Sequence, residues 1–174
     1  MPRYKYTLCL IRRGDEILLL NRYNAPCMGC WNGVGGKLEA GEAPTECVLR
    51  EVMEETGIAL QKVHFRGILS WWSGDSRIRD EDGGLYLFAA EMPKDFDFPA
   101  LKPTDEGILQ FKKLDWALNP ANDGVVRNIP RFLPTLLSDE RPHHYRQTYD
   151  QDRITDFSIT PMTEEEVRAC ELRD

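Results

Sequence analysis

Arg50-Glu51-Val52-Met53-Glu54-Glu55-Thr56-Gly57-Ile58 is the stretch on which the reading of this chain turns. It closes a segment with helical periodicity, Pro44 to Thr56, in which Pro44 suits the first turn and Gly57 the position just past the end. At about 100° per residue, Glu51, Glu54 and Glu55 (i, i+3, i+4) project into one sector, and Val48, Leu49, Val52 and Met53 form the expected buried stripe. Like charges at these spacings oppose a helix by a few tenths of a kcal/mol per pair. Three converging carboxylates therefore call for open solvent or a cation.

The residues upstream decide between the two. Gly36-Lys37-Leu38-Glu39-Ala40-Gly41-Glu42 leads into the helix, so that residues 36–58 read G-x5-E-x7-R-E-U-x-E-E-x-G-U, with U aliphatic. A glycine-rich loop lets backbone carbonyls and amides approach phosphate and metal closely, and the helix adds hard carboxylate oxygens suited to Mg2+, with Mn2+ as an alternative. Arg50 lies beside the acidic face, where a charge-assisted hydrogen bond to Glu51 would orient that carboxylate, and Glu42 is placed to brace the loop. Either residue would otherwise make an ordinary surface salt bridge.

This pattern resembles the Nudix box at all of its defined positions. The resemblance implies an α+β fold, an α/β/α sandwich with a central mixed, curved β-sheet flanked by helices. It also implies a hydrolase acting on phosphoric anhydrides. Glu51, Glu54 and Glu55 are then the expected metal ligands, joined by the carbonyl of Gly35, and one glutamate handles the attacking water. Arg50 is carried over with them as a catalytic-site residue.

The loop before the box, Trp31-Asn32-Gly33-Val34-Gly35-Gly36-Lys37, is similar to the W-N-G-x-G-G-K of MutT-type oxidised-purine nucleoside triphosphatases. In those enzymes the Asn binds the purine, a role that an amide, able to donate and accept at once, suits. Asn32 inherits that role, with Gly36 and Lys37 as further substrate-binding candidates. Tyr6-Thr7-Leu8 resembles the first strand, where Thr7 would line the base pocket. Thr104-Asp105-Glu106, followed by Phe111 to Asp115, resembles the segment that supplies a further metal-site glutamate, here Glu106. The family's base-reading acidic pair follows a Trp-Pro; this chain has Asn119-Pro120-Ala121-Asn122-Asp123 instead, and Asp123 is the best counterpart. Pro26, Cys27 and Met28 stand where an aromatic is usual.

Composition is compatible with this reading. With 174 residues, 41% hydrophobic and 29% charged, the chain suits one globular domain with a substantial core. Twenty-two Lys and Arg against twenty-nine Asp and Glu give a formal charge of -7, the wrong sign for gripping a polynucleotide through its phosphates. A small phosphorylated substrate remains compatible, since a divalent cation neutralises both it and the carboxylates. No signal core opens the chain and no run approaches a membrane span, so a cytoplasmic protein with no membrane partner is expected, as a monomer or homodimer. Five scattered cysteines, Cys9, Cys27, Cys30, Cys47 and Cys170, suit reduced thiols; Cys27 and Cys30 form a C-x-x-C without a second pair, read as two ordinary loop thiols.

Strands are expected at residues 4–11 and 16–20 around Arg12-Arg13-Gly14-Asp15, near 62–72 and 85–91, at 109–114, and at 145–149 and 154–159. A polar connection covers 73–84. A second helix is expected over roughly 122–137, kinked by Pro130 and Pro134. Residues 1–161 are read as a single domain and 162–174 as a charged tail containing a short helix. The function expected is Mg2+-dependent hydrolysis of an oxidised purine nucleoside triphosphate, 8-oxo-dGTP by preference, to monophosphate and pyrophosphate, a step that sanitises the nucleotide pool and so serves DNA repair. The alternatives are hydrolysis of another nucleoside diphosphate derivative, such as a nucleotide sugar or dinucleoside polyphosphate, and a nucleotide sensor without turnover.

Overall fold

Strands β1 (Tyr6–Arg13) and β2 (Glu16–Arg22) make an antiparallel hairpin around Gly14-Asp15, and the rest of the fold is assembled on β1. The computed structural model describes residues 4–73, 83–151 and 153–171. Along the chain follow β3 (Trp31–Asn32), α1 (Pro44–Thr56), β4 (His64–Ser73), β5 (Gly83–Met92), β6 (Lys102–Pro103), β7 (Gly107–Lys113) and α2 (Leu114–Leu118). The remaining elements are α3 (Ile129–Ser138), β8 (His143–Asp150), β9 (Arg153–Pro161) and α4 (Glu164–Glu171). Most of the polar connection expected at 73–84 lies outside the described residues, as does Asp152.

The strands form one mixed sheet in the order β6-β7-β2-β1-β5-β4-β8-β9, with β3 added on β2. β1 pairs with β5 in parallel, as β4 does with β8, and the other pairings are antiparallel. Side chains alternate across the central strand. Leu8 and Leu10 of β1 join Ile17, Leu19, Leu69 and Leu87 beneath Phe132, Leu133 and Leu136 of α3. Cys9 and Ile11 join Leu18, Leu20 and Phe88 beneath Val48 and Val52 of α1. The result is the expected α/β/α sandwich.

Helix α1 begins and ends where the sequence places it. Pro44 occupies the first turn, and the Ala43 N–H donates to the Glu46 carboxylate at 3.0 Å. Gly57 takes φ 71°, which lets its N–H reach back to the Met53 carbonyl at 2.9 Å. The buried stripe differs from the expected one: Pro44, Cys47, Val48, Val52, Glu55 and Thr56 are buried, whereas Met53 is 50% exposed. Met53 lies about 140° around the helix from Val48, beyond the width of the contact with the sheet. Glu55 lies only about 20° from Val48, so it turns inward with the apolar residues.

The second long helix starts later than expected. Residues 122–128 form turns and bridge-like chain, and α3 begins at Ile129, so that Pro130 falls in the first turn, where no helical N–H is needed, and only Pro134 is internal. The short α2 was not anticipated. Met162, just before α4, and Cys170, within it, pack on the α1-side core, and the His144 imidazole meets the Glu166 carboxylate at 3.1 Å. Helix α4 is thus docked on the α1 side of the sheet.

Val52→Ala, which empties a fully buried site, should cost about 2 kcal/mol, while Met53→Ala should stay within about 0.5 kcal/mol. Urea unfolding of the two variants checks both values, and an equally large loss for Met53→Ala would contradict its exposure.

Candidate active site

The three helix glutamates occupy graded environments. Glu54 keeps 60% of its side chain exposed, Glu51 keeps 14%, and Glu55 is buried at 8% for the whole residue. One helical turn therefore carries carboxylates from solvent down to the sheet. The loop before the helix is pinned to β1 by backbone hydrogen bonds: Cys9 and Val34 exchange N–H donors, and the Thr7 N–H donates to the Gly36 carbonyl at 2.9 Å. This brings the Gly35 N–H to the Glu55 Oε2 at 3.2 Å. Gly36 lies so close to the Glu51 carboxylate that any Cβ there would collide with it.

Arg50 organises the outer part of the site. Its Nε and Nη2 donate in a bidentate pair to Glu42, at 2.8 and 2.9 Å. Its Nη1 donates to Glu51 at 2.9 Å and to Glu54 at 3.1 Å, and Nη2 reaches the Lys37 carbonyl at 3.2 Å. Glu42 in turn accepts from the Glu39 N–H at 2.9 Å. The guanidinium holds Glu42 below the usual carboxylate range, and the carboxylates hold Arg50 above its own. Glu51 is pushed up, because its burial outweighs the help from Arg50.

Glu55 is the electrostatic anomaly. Burial raises its pKa to about 8, with the neighbouring carboxylates of Glu106 and Glu51 acting in the same direction and only the Gly35 N–H opposing. Its Oε1 is buried and, among the described residues, has no hydrogen-bond partner. Glu106 arrives from the turn before β7, which is held to the end of β2 by the Tyr23 N–H donating to the Glu106 carbonyl at 2.9 Å; its carboxylate lies 3.9 Å from Arg22. In this arrangement Glu51 and Glu54 are turned onto Arg50, and among the described residues no three carboxylate, imidazole or thiol groups converge on one point. An orphaned carboxylate oxygen beside a second carboxylate is nonetheless the chemistry that a hard divalent cation relieves. The donor set of Glu51, Glu54, Glu55, Glu106 and the Gly35 carbonyl fits such an ion.

On the opposite face of the sheet a second group of residues is gathered. The Trp31 N–H donates to the Gly124 carbonyl at 2.8 Å, and the Val126 N–H donates to the Trp31 carbonyl at 3.0 Å, laying residues 124–126 beside β3. The Trp31 and Trp116 rings meet edge to face at 6.3 Å, and the Lys112 ammonium lies 4.2 Å and 4.9 Å from their centroids. Burial lowers the pKa of Lys112. The Asn32 Oδ1 accepts from the Gly33 N–H at 2.9 Å. Asp123 is exposed, next to Gly124, while Asn122 braces the same turn by donating to the Trp116 carbonyl and accepting from the Gly124 N–H.

The structure thus gathers Gly35, Gly36, Arg50, Glu51, Glu54, Glu55 and Glu106 at one place, and sets Asn32 and Asp123 on the two adjoining segments at another. Thr7 is buried with its hydroxyl 3.5 Å from the Cys47 Sγ, on the α1 face and away from Trp31. The Lys37 side chain is exposed. Trp116 carried no motif in the sequence, and Lys112 stood in the stretch after Glu106 without a role of its own; only the pairing of β7 with β2 and the turn after α2 bring them to Trp31.

Glu55 titrates higher in the folded chain than in the unfolded one, so metal-free protein should lose stability as pH rises from about 4.5, an ordinary Glu value, toward 8. In thermal melts with EDTA, Glu55→Gln should melt above the parent chain at pH 8 and close to it at pH 5. Mg2+ should raise the parent's midpoint at pH 8 more than the variant's. A variant that melts lower at pH 8 in EDTA would show that the buried charge is already compensated.

Comparison with known proteins gives the chain a family. A family model described as NUDIX domain matches residues 2–136. The chain is 31% identical over 155 residues to the oxidized purine nucleoside triphosphate hydrolase of Mus musculus, covering 88% of this chain and 92% of that protein. It is 29% identical over 126 residues to the uncharacterized Nudix hydrolase YvcI of Bacillus subtilis, covering 72% and 70%. The crystal structure of a mutator MutT protein from Bacillus halodurans superposes with a TM-score of 0.74 at 28% identity, over 91% of this chain and 98% of that one. With a domain match across well over half its length and the carboxylate helix seated against its glycine loop, the chain belongs to the Nudix hydrolase family, which acts on phosphoric anhydrides.

Proposed function

We propose that this Nudix hydrolase cleaves oxidised purine nucleoside triphosphates, 8-oxo-dGTP by preference, to the monophosphate and pyrophosphate. The observation that carries the reading is the similarity to the Mus musculus oxidized purine nucleoside triphosphate hydrolase along nearly the whole of both chains, which includes the Trp31-Asn32 loop as well as the box. Residues 1–161 form the catalytic domain in this reading.

The two faces divide the work. Asn32, with Asp123 on the neighbouring turn, reads the base by hydrogen bonds, and the half-buried Trp31 and Trp116 supply apolar walls. The phosphates lie toward residues 33–37 and the carboxylate helix, with Lys37 at the rim. Members of the family generally need a divalent metal such as Mg2+. That ion would supply Lewis-acid stabilisation of the charge that develops as the anhydride breaks. Glu51, Glu54, Glu55, Glu106 and the Gly35 carbonyl would hold it. Arg50 keeps Glu51 and Glu54 in register with the loop through Glu42, so that the donors are preorganised. A glutamate of the same set takes the proton as water adds to phosphorus. The bond from that phosphorus to the bridging oxygen breaks, and the oxygen departs with the leaving product.

Glu54→Gln should lower kcat by at least about 100-fold while the fold is retained, since the exposed Glu54 contributes little packing. A variant that turns over normally would remove Glu54 from the site. The substrate assignment is checked by kinetics with Mg2+ on 8-oxo-dGTP, dGTP, a nucleotide sugar and a dinucleoside polyphosphate, with product identification. Release of pyrophosphate from 8-oxo-dGTP at the highest kcat/KM is expected. Efficient cleavage of another compound with none of 8-oxo-dGTP overturns it.

A further inference from the structure

Gln147 is 1% exposed, yet its Oε1 has no hydrogen-bond partner among the described residues. A buried neutral acceptor left unpaired is rare, because it forfeits its bond to water without replacement. The other end of the amide is bonded. Its Nε2 donates to the Tyr149 hydroxyl at 2.9 Å, and that hydroxyl is also hydrogen-bonded by the side chain of Asn128, at the N-terminus of α3. The nitrogen end of the amide is thus bonded and, among the described residues, its carbonyl end is not.

Its surroundings belong to the base side of the sheet. Gln147 pairs across β4 with Trp71 and across β9 with Phe157, both half-buried against the α3-side core that also carries Leu8, Trp31 and Trp116. Asn128, which steadies Tyr149, is two residues beyond Val126, whose N–H is bonded to the Trp31 carbonyl. Cys27, from the loop leading to β3, is near enough to Tyr149 to influence its titration. Residues 124–128 therefore link the Asn32 strand to the Gln147–Tyr149 pair, and Trp31, Trp71 and Phe157 pack on the same core.

We propose that Gln147 is a specificity-determining residue of the nucleotide site, its Oε1 accepting a hydrogen bond from the N7–H of an 8-oxopurine whose other edge is held at Asn32. This rests on the functional reading given above. The chemistry discriminates because oxidation at C8 converts N7 from an acceptor into a donor. An acceptor opposite N7 gains a bond with the oxidised base and faces a lone pair in the parent base.

Steady-state kinetics of the parent chain, Gln147→Met and Tyr149→Phe on 8-oxo-dGTP and dGTP test it. Gln147→Met should raise KM for 8-oxo-dGTP about 10- to 100-fold with kcat within about threefold, and change KM for dGTP much less. Tyr149→Phe, which releases the amide but keeps its oxygen, should lose part of the preference. An equal KM change for both nucleotides, or a fall confined to kcat, overturns the proposal in favour of a packing role. Should Gln147→Met fail to fold, the unmodified protein with 7-methyl-8-oxo-dGTP decides: KM raised at least 10-fold over 8-oxo-dGTP supports the N7 contact, and an unchanged KM overturns it. A parent chain that cleaves other nucleotides but not 8-oxo-dGTP overturns the functional reading and this inference together. A parent active on 8-oxo-dGTP with Gln147→Met unaltered overturns this inference alone.

Discussion

The Arg50 guanidinium is the interaction on which the rest of the site depends. It bonds three carboxylates and a loop carbonyl at once, joining Glu42 and Lys37 of the glycine loop to Glu51 and Glu54 of the helix. Three acidic side chains, Glu51, Glu54 and Glu55, crowd into little more than one turn of helix with Glu42 against them from the loop, and without a rigid, always-charged partner their repulsion would splay loop from helix. A lysine, a point charge on a flexible stem, could not keep the bidentate bond to Glu42 and the bond to Glu51 together. The charge balance is incomplete by design of the position: Arg50 serves the outer carboxylates, and Glu55, the innermost, is left to burial and to Glu106.

Below that clamp, the site is an outcome of how β1 is used. Its residues alternate between two cores, so one strand anchors the carboxylate helix with Cys9 and Ile11 and α3 with Leu8 and Leu10. The loop that follows β3 is bonded to the same strand, at Thr7 and Cys9. Loop, helix and aromatic face are therefore referenced to a single piece of backbone, buried on both sides and paired on both edges, which is the least mobile kind of strand.

What could be read from the sequence was what is local along it. The helix limits, its glycine cap and the acidic register follow from residues 36–58 because cap chemistry and helical angle are short-range properties. The strands of the hairpin and of the β8–β9 pair were legible for the same reason, through alternation and turns. Errors fell at boundaries that the third dimension sets. Glu55 and Met53 exchanged places because the contact with the sheet is narrower than the apolar stripe drawn on paper. The second helix looked seven residues longer because residues 122–128 have helix-compatible composition, although Asn122 and the Trp31 pairing hold them as turns. The roles of Trp116, Lys112 and Gln147 were not legible, since nothing along the chain announces which side chains a short helix and two separate strands will bring to one face.

In the function proposed here, the sheet separates recognition from bond-breaking. Glu51, Glu54, Glu55 and Arg50 sit over one surface, whereas Trp31, Trp71, Trp116, Gln147 and Phe157 belong to the other. Changes on the second surface can alter which group is accepted without disturbing the charge arrangement on the first. Substitutions at sites more than about 7–10 Å apart with no shared partners usually add independently. A chain built this way can drift between substrates one residue at a time, each intermediate still a competent hydrolase, and the same division makes it a tractable scaffold for redirecting specificity by selection on the aromatic surface alone.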